Sequence, residues 1–293
     1  MNDTNLALKN TNLMIVRDEG DDFRLYEQWL RRNELTEATI LSYSRTIRHY
    51  FTKYKVLSKT SLLSYKEWLI ENNYAPKTIN TRINALNSYC TYVNKKALKL
   101  RCVKIQQKPF VDNVISFEDY QYFIKKLKED NDLETYFIVK FIGCTGARVS
   151  EVIRMKIEHV YAGHMDIYSK GGKFRRIYFP VRLRNEAIKW FADTGKTEGL
   201  IFKNKNGVTI GTTGISYKLK HAAMRYHKLD INCIYPHSFR HMFAYQFLKR
   251  KPGADGCMFL SDILGHSSVE ITRIYTRASS TEQARIVDKI VDW

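Results

Sequence analysis

A nineteen-residue segment beginning at Trp29, WLRRNELTEATILSYSRTI, is echoed thirty-nine residues later by WLIENNYAPKTINTRINAL, beginning at Trp68. Trp29 answers Trp68, Thr39 answers Thr78, Ile40 answers Ile79, and Ile47 is matched by Leu86. Each copy reads as a helix, a short turn and a second helix, because apolar residues recur at helical spacing on both sides of a polar break. One helical hairpin cannot bury its apolar stripe alone, so two copies predict a four-helix domain. The spacing predicts helices over 22–32, 36–53, 61–71 and 76–95, the last opening on Pro76, which a first helical turn accommodates.

Basic residues gather on the second copy and beyond it. From Lys77 to Lys108 the chain carries eight bases (Lys77, Arg82, Lys95, Lys96, Lys99, Arg101, Lys104, Lys108) and no acid. A solvated face ordinarily mixes signs, so this run predicts a phosphate-contacting surface, with Lys77, Arg82, Lys95, Lys96 and Lys99 as its candidates. The whole chain agrees. Its 48 Lys and Arg against 30 Asp and Glu leave +18, a field that favours a polyanion through counterion release. Membrane surfaces and ribosomes also attract such charge, so DNA or RNA is the favoured class of partner rather than a named one.

The chain has 293 residues, 44% of them hydrophobic, enough for two domains with separate cores. No run of eighteen apolar residues occurs, and the polar first twenty residues hold no cleavable apolar segment. Neither a membrane span nor a signal peptide is therefore expected, and the expected compartment is the cytoplasm. Five cysteines at scattered spacings, without a CxxC pair, suggest neither a disulfide framework nor a zinc site.

From Ser116 the pattern changes. Helices are expected over 116–129, 133–143 and about 147–155, then two alternating runs, HMDIYS and FRRIYFP, around Lys170-Gly-Gly-Lys173. Gly-Gly between alternating runs predicts a β-hairpin, because both central turn residues want positive φ. Further helices are expected near 182–193, 213–227, 236–249 and 258–264. The organisation expected is a tail over 1–20, a helical domain over 21–100, a linker over 101–113, and a second domain over 114–293. That second domain is mixed α/β, mostly helical, with a small antiparallel sheet.

Four places in the second domain carry chemistry. In GARVSE, Arg148 follows a glycine turn and Glu151 stands one helical turn later. Lys170 edges the Gly-Gly turn, with Lys173 on its other side. In PHSFRH, the residues His237, Arg240 and His241 share one helical face. In LGHSSVEITRIYT, Ser267 and Glu270 form a capping-box pattern that predicts a helix from about Ser268, with His266 at its mouth and Tyr275 two turns in, held by Ile271 and Ile274. Each alone has a plain structural account: a surface ion pair, a solvated lysine, a polar helix face, a core tyrosine. His237 and His241 also have the spacing of a zinc pair, but no HExxH glutamate or third ligand accompanies them. Together, two arginines, a lysine, several histidines and a tyrosine suit a metal-free phosphodiester transfer. Tyrosine can attack as a covalent nucleophile, and arginine forks can hold non-bridging oxygens. Lys170 can protonate a leaving oxygen, and His237 can take the phenolic proton.

At these four boxes, in this order, the sequence resembles the tyrosine recombinase (phage integrase) family in its Xer-like two-domain form. The resemblance extends over the N-terminal helices, and so covers nearly all of the chain past residue 20. It implies a mainly α protein: a four-helix, SAM-like core-binding domain and a catalytic domain that ends in a tail helix. It implies Tyr275 as the nucleophile of a 3′-phosphotyrosine, Arg148 and Arg240 on the scissile phosphate, and Lys170 as general acid, with Lys173 as runner-up. It further implies His237 as assisting base, His266 as a phosphate hydrogen-bond donor, Glu151 as an orienting carboxylate and His241 as a supporting residue. The family acts as a C-shaped clamp on double-stranded DNA and exchanges strands in a homo-tetramer through a Holliday junction, without metal or ATP. Its C-terminal tail docks on a neighbouring protomer, a role that TEQARIVDKIVDW would fill here. About twenty polar residues precede the first helix, so no arm-binding domain is expected. The rivals are a type IB topoisomerase, which reseals without exchanging partners, and a DNA-binding regulator that has lost the reaction.

Overall fold

A computed structural model describes residues 14–15, 21–105, 113–168, 174–204 and 206–265, with residues 272, 275 and 288. The chain divides into two compact units, Met1–Gln107 and Lys108–Trp293.

In the first unit, α1 (Asp21–Arg32) and α2 (Glu37–Lys53) form one helical hairpin, and α3 (Lys59–Glu71) and α4 (Pro76–Tyr92) form the other. The sequence repeat is a repeat of backbone geometry. Glu34 and Asn73, thirty-nine apart, both turn left-handed, at φ 57° and 56°. Leu35 N–H returns to the Leu30 carbonyl as Tyr74 N–H returns to that of Leu69, and the Asn33 and Asn72 side-chain amides donate to the Trp29 and Trp68 carbonyls, each at 2.8 Å. The turns are helix C-caps that satisfy the last carbonyls in the same way twice. Their entries differ: Thr36 caps α2 by accepting from Thr39 N–H, whereas α4 opens on Pro76 with no side-chain cap.

Tyr26, Leu30, Ile40, Ile47, Tyr65, Leu69, Ile83 and Tyr89 interlock between the hairpins. Each such fully buried apolar side chain contributes roughly 1.5–3 kcal/mol, which a solitary hairpin could not collect. α4 stops at Tyr92, short of the expected residue 95. Asn94 adopts φ 57°, and a one-turn 3₁₀ segment, Lys96–Leu98, then drops Leu98 onto the same core. A short pairing of β1 (Met14–Ile15) with β2 (Val56–Leu57) carries no sequence signal.

The second unit is built on α6 (Leu133–Thr145). Tyr136, Phe137, Ile138, Val139, Phe141 and Ile142 are all buried, so the helix is apolar nearly all round and is surrounded. Packed on it are α5 (Phe117–Glu129), α9 (Val181–Asp193), α10 (Thr212–Ala223) and α11 (Pro236–Arg250). β3 (His164–Tyr168) pairs antiparallel with β4 (Phe174–Tyr178), Tyr168 opposite Phe174 and His164 opposite Tyr178. Alternation turns Met165, Ile167 and Ile177 inward, and Arg175 turns inward with them.

In the second unit α10 stops at Ala223, short of the expected residue 227, and two other helices depart from expectation for a visible reason. The helix expected over 147–155 is only α7 (Val149–Val152): Ile201 N–H donates to the Met155 carbonyl and Ile157 N–H to that of Gly199, drawing the chain into a bridge before α8 (Ile157–Ala162) begins. α12 runs Gly253–Leu264, five residues earlier than expected, because Gly253 and Gly256 lower its apparent helix propensity. The helix expected from Ser268, with Ile271 and Ile274, lies outside the described residues.

Candidate active site

Two helices end where the chemistry gathers. α6 closes on Gly146 at φ 65° and α12 on Gly265 at φ 60°, left-handed caps that glycine adopts without strain. Neither position has room for a side chain. A Cβ on Gly146 would meet Phe243 at 2.6 Å and Leu264 at 2.7 Å, and one on Gly265 would strike the Arg175 side chain. Their closeness brings the carboxyl ends of both helices, each a concentration of unpaired carbonyls and partial negative charge, to one spot.

Three guanidiniums occupy it. Arg175 Nη1 donates to the Ile263 carbonyl at 2.6 Å, Arg240 Nη2 to that of Leu264 at 2.7 Å and Arg148 Nη2 to that of Gly265 at 3.1 Å. Three arginines thus take three consecutive carbonyls at the end of α12. Arg240 also reaches the Gly146 carbonyl through Nη1 at 2.5 Å, joining both helix ends. Arg148 comes from the first residue before α7, Arg175 from β4 and Arg240 from α11.

The carboxylate in contact with two of these guanidiniums is Glu151, 3% exposed. It accepts from the Arg148 backbone N–H at 2.7 Å, from Arg148 Nη1 at 3.3 Å and, most closely, from Arg175 Nη2. Among the described residues, these three guanidiniums against one carboxylate leave an excess of positive charge, complementary to a phosphate diester. Burial, and then the neighbouring Arg148 and Arg175, pull Arg240 down to about 9, which leaves it charged at neutral pH.

Tyr275 stands beside this cluster, 5% exposed and packed with Ala244, Leu248, Leu260 and Leu264. Its hydroxyl shares a 2.6 Å hydrogen bond with His241 Nδ1. Burial raises the phenol to about 12, while the nearby charge of Arg240 opposes that rise. Burial, then His237 and Arg240, depress His241 to about 4, so the imidazole beside the phenol is neutral at pH 7. The structure therefore unites Arg148, Glu151, Arg240, His241 and Tyr275. His237 is exposed at the start of α11, its ring centroid 6.1 Å from that of His241. Lys170, Lys173 and His266 lie outside the described residues. An open cavity beside Arg148 runs between β4 and α12, lined by Phe174, Arg176, Phe259 and Asp262.

In the first unit, Lys77, Lys96 and Lys99 are exposed and Lys95 is half-buried. Arg82 is turned inward: Nη1 donates to Tyr65 Oη at 2.9 Å and lies 3.0 Å from His49 Nδ1, with the guanidinium over the Tyr74 ring. Arg82 still lines a groove between α2 and α4 with Leu41, Ser42, Arg45, Thr78 and Thr81. Among the described residues, no group of three or more His, Cys, Asp or Glu is placed to hold a metal, and no helix is long and apolar enough to cross a membrane.

A family model described as the phage integrase family matches residues 113–282, more than half of the chain. The chain belongs to the phage integrase family. Tyrosine recombinase XerD of Rickettsia bellii is 25% identical to this integrase-family chain over 284 residues, covering 85% of this chain and 91% of that protein. Tyrosine recombinase XerA of Pyrococcus furiosus is 25% identical over 272 residues, covering 90% and 92%. Among solved structures, a lambda integrase tetramer bound to a Holliday junction aligns with TM-score 0.70 at 14% identity, covering 94% of this chain and 82% of that one. The Tn1549 transposon integrase in complex with transposon right end DNA aligns with TM-score 0.66 at 16% identity, covering 92% and 98%. The mainly helical architecture with a small antiparallel sheet is the fold these integrases share.

One residue of this integrase-family enzyme's guanidinium cluster, Arg175, is marked by none of the four motifs. Arg175 sits in FRRIYFP, where two adjacent arginines look like solvent-facing charge. The alternation itself held the signal, since Arg175 is in phase with Ile177 and Phe179, both buried.

The depressed His241 also gives the enzyme a measurable acid sensitivity. The unfolded imidazole titrates near 6.5 and the folded one near 4, so between these values only the unfolded chain binds the proton. Stability from this group is complete above pH 6.5 and falls as pH drops toward 4, by about 3 kcal/mol in all. Thermal melts of the wild type should thus decline more steeply from pH 7 to 4.5 than those of His241→Asn. Parallel declines would show that His241 is not buried neutral.

Proposed function

We propose that this protein is a site-specific DNA recombinase that cuts and rejoins strands through a covalent 3′-phosphotyrosine, with neither metal nor ATP. The observation that carries the proposal is the Tyr275 hydroxyl, hydrogen-bonded to a neutral imidazole and adjacent to a cluster in which, among the described residues, guanidiniums outnumber carboxylates. Tyr275 Oη attacks the scissile phosphorus, the bond from phosphorus to the 5′-oxygen breaks, and that oxygen leaves as a hydroxyl. Arg148 and Arg240 hold the non-bridging oxygens, whose charge grows in the pentacoordinate transition state. A histidine of α11 takes the phenolic proton: His237 in the family pattern, with His241 the imidazole already in contact. Lys170 supplies the leaving group's proton, and His266 adds a hydrogen bond to the phosphate. Attack by a freed 5′-hydroxyl on the phosphotyrosine reverses each step, and the ester conserves the bond energy, so no nucleotide hydrolysis is required.

The partner is double-stranded DNA carrying a specific site, held in part by Lys77, Arg82, Lys95, Lys96 and Lys99 of a core-binding domain over residues 21–100. The active assembly is a homo-tetramer joined by its C-terminal tails, and the enzyme works in the cytoplasm. Support comes from the net charge of +18 and from the tetrameric state of the lambda integrase structure.

The test is chemical. Genomic fragments that the protein binds are recovered, nicked beside the bound site and incubated with it. An SDS-resistant protein–DNA adduct is expected, undiminished in EDTA, with the phosphate on the peptide containing Tyr275. Tight binding without any adduct would make the protein a regulator that has kept the fold alone.

A further inference from the structure

Arg175 is 9% exposed, and its position is an anomaly of the sheet pattern: a charged side chain on the inward face of a two-stranded hairpin, among Met165, Ile167 and Ile177. A buried cation is tolerated only with close partners, and Arg175 has two. Nη2 makes the closest contact to Glu151, and Nη1 holds the Ile263 carbonyl at 2.6 Å. These contacts tie β4 to α7 and to the carboxyl end of α12.

What this does to Arg148 follows from the competition for one carboxylate. Arg175 and Arg148 both approach Glu151, but the Arg175 side chain is 8% exposed and the Arg148 side chain 37%. Arg148 Nη1 stands 3.3 Å from Oε1, a long ion pair, and its Nη2 stands 3.1 Å from the Gly265 carbonyl, a modest hydrogen bond. Glu151 is therefore neutralised mainly from the hairpin side, and Arg148 is aimed at the open cavity without being locked into a tight bidentate pair. Without Arg175, Glu151 would turn wholly to Arg148 and draw its guanidinium away from the cavity. We propose that Arg175 is a positioning residue: by saturating Glu151 and pinning the end of α12, it keeps the Arg148 guanidinium available for the scissile phosphate. This rests on the recombinase assignment above.

The experiment compares single-turnover adduct formation on the nicked, bound site with a normal phosphate and with a neutral methylphosphonate at the scissile position. Arg175→Met removes the charge, and Arg175→Lys keeps a cation for Glu151 but cannot reach Ile263 at the same time. Arg175→Met should bind the DNA within about threefold of wild type yet form adduct about 100-fold more slowly. On the methylphosphonate, where less charge needs a guanidinium, that deficit should shrink to about fivefold or less, and added to Arg148→Ala it should cost little more. Arg175→Lys, folded as judged by its melting, should retain an intermediate deficit with the same dependence on phosphate charge, which covers the case of an unfolded Met variant. A residue that only stabilises the fold would slow both substrates by one factor and would multiply with Arg148→Ala, and either outcome overturns the proposal. So would adduct rates within about threefold of wild type in both variants. Absence of adduct from the wild type, in contrast, would overturn the recombinase assignment itself.

Discussion

Tyr275→Phe leaves the DNA bound and uncut. The substitution removes a single oxygen, so the packing of the ring against Ala244, Leu248, Leu260 and Leu264 survives. The hydrogen bond to His241 goes, at a stability cost of about 1 kcal/mol. Adduct formation should fall by roughly 10⁴-fold or more, to the limit of detection, because no other step can proceed without the covalent ester. DNA affinity should stay within a few-fold, since the buried phenol contributes no charge. Two other phenols stand close enough to test the assignment: Tyr245, whose ring lies edge-on to Tyr275 at 5.5 Å, and Tyr235. An adduct surviving in the Phe variant and mapped to either would move the nucleophile.

Arg240→Lys should be nearly as damaging despite keeping the charge. Arg240 spans the Gly146 and Leu264 carbonyls with two nitrogens of one rigid plane. A lysine ammonium is a point donor on a flexible stem, and cannot bridge two helix ends and face a phosphate together. Adduct formation should drop about 10³-fold, with DNA binding weakened far less. The melting temperature should fall as well, because a buried carbonyl loses its donor, at about 1–3 kcal/mol. Adduct rates within tenfold of wild type would show that position 240 supplies charge alone.

Much of the architecture could be read in advance, for identifiable reasons. The helical hairpins of the first unit were legible because their core residues recur at helical steps and do so twice, whereas the matched left-handed residues at 34 and 73 emerged only in the structure. The β3–β4 hairpin was legible through strict alternation. α8 was hidden because its break from α7 depends on backbone partners from residues 199–201, far along the chain. α12 was half hidden by its glycines.

The site divides in the same way. Arg148, Glu151, Arg240, His241 and Tyr275 declared themselves by residue type and spacing. What seats the arginines, Arg175 among them, is carbonyl oxygen, from Gly146 and from residues 263 to 265, and a backbone acceptor leaves no mark in a sequence. Arg82 is a similar case: its neighbours' charge singled it out, while the Tyr65 and His49 contacts that hold its guanidinium left no mark in the sequence.

The seat of the guanidiniums on two helix tips has a consequence for how this chain can evolve. Like charges crowded beside Glu151 repel one another, and that repulsion is fixed at the moment of folding rather than met when substrate arrives. Changes that calm the cluster would toughen the empty protein against heat while dulling it as a catalyst. Thermal hardiness and turnover are thus set against each other at these few positions, and variants chosen only for survival at high temperature should drift toward inert, well-folded DNA binders.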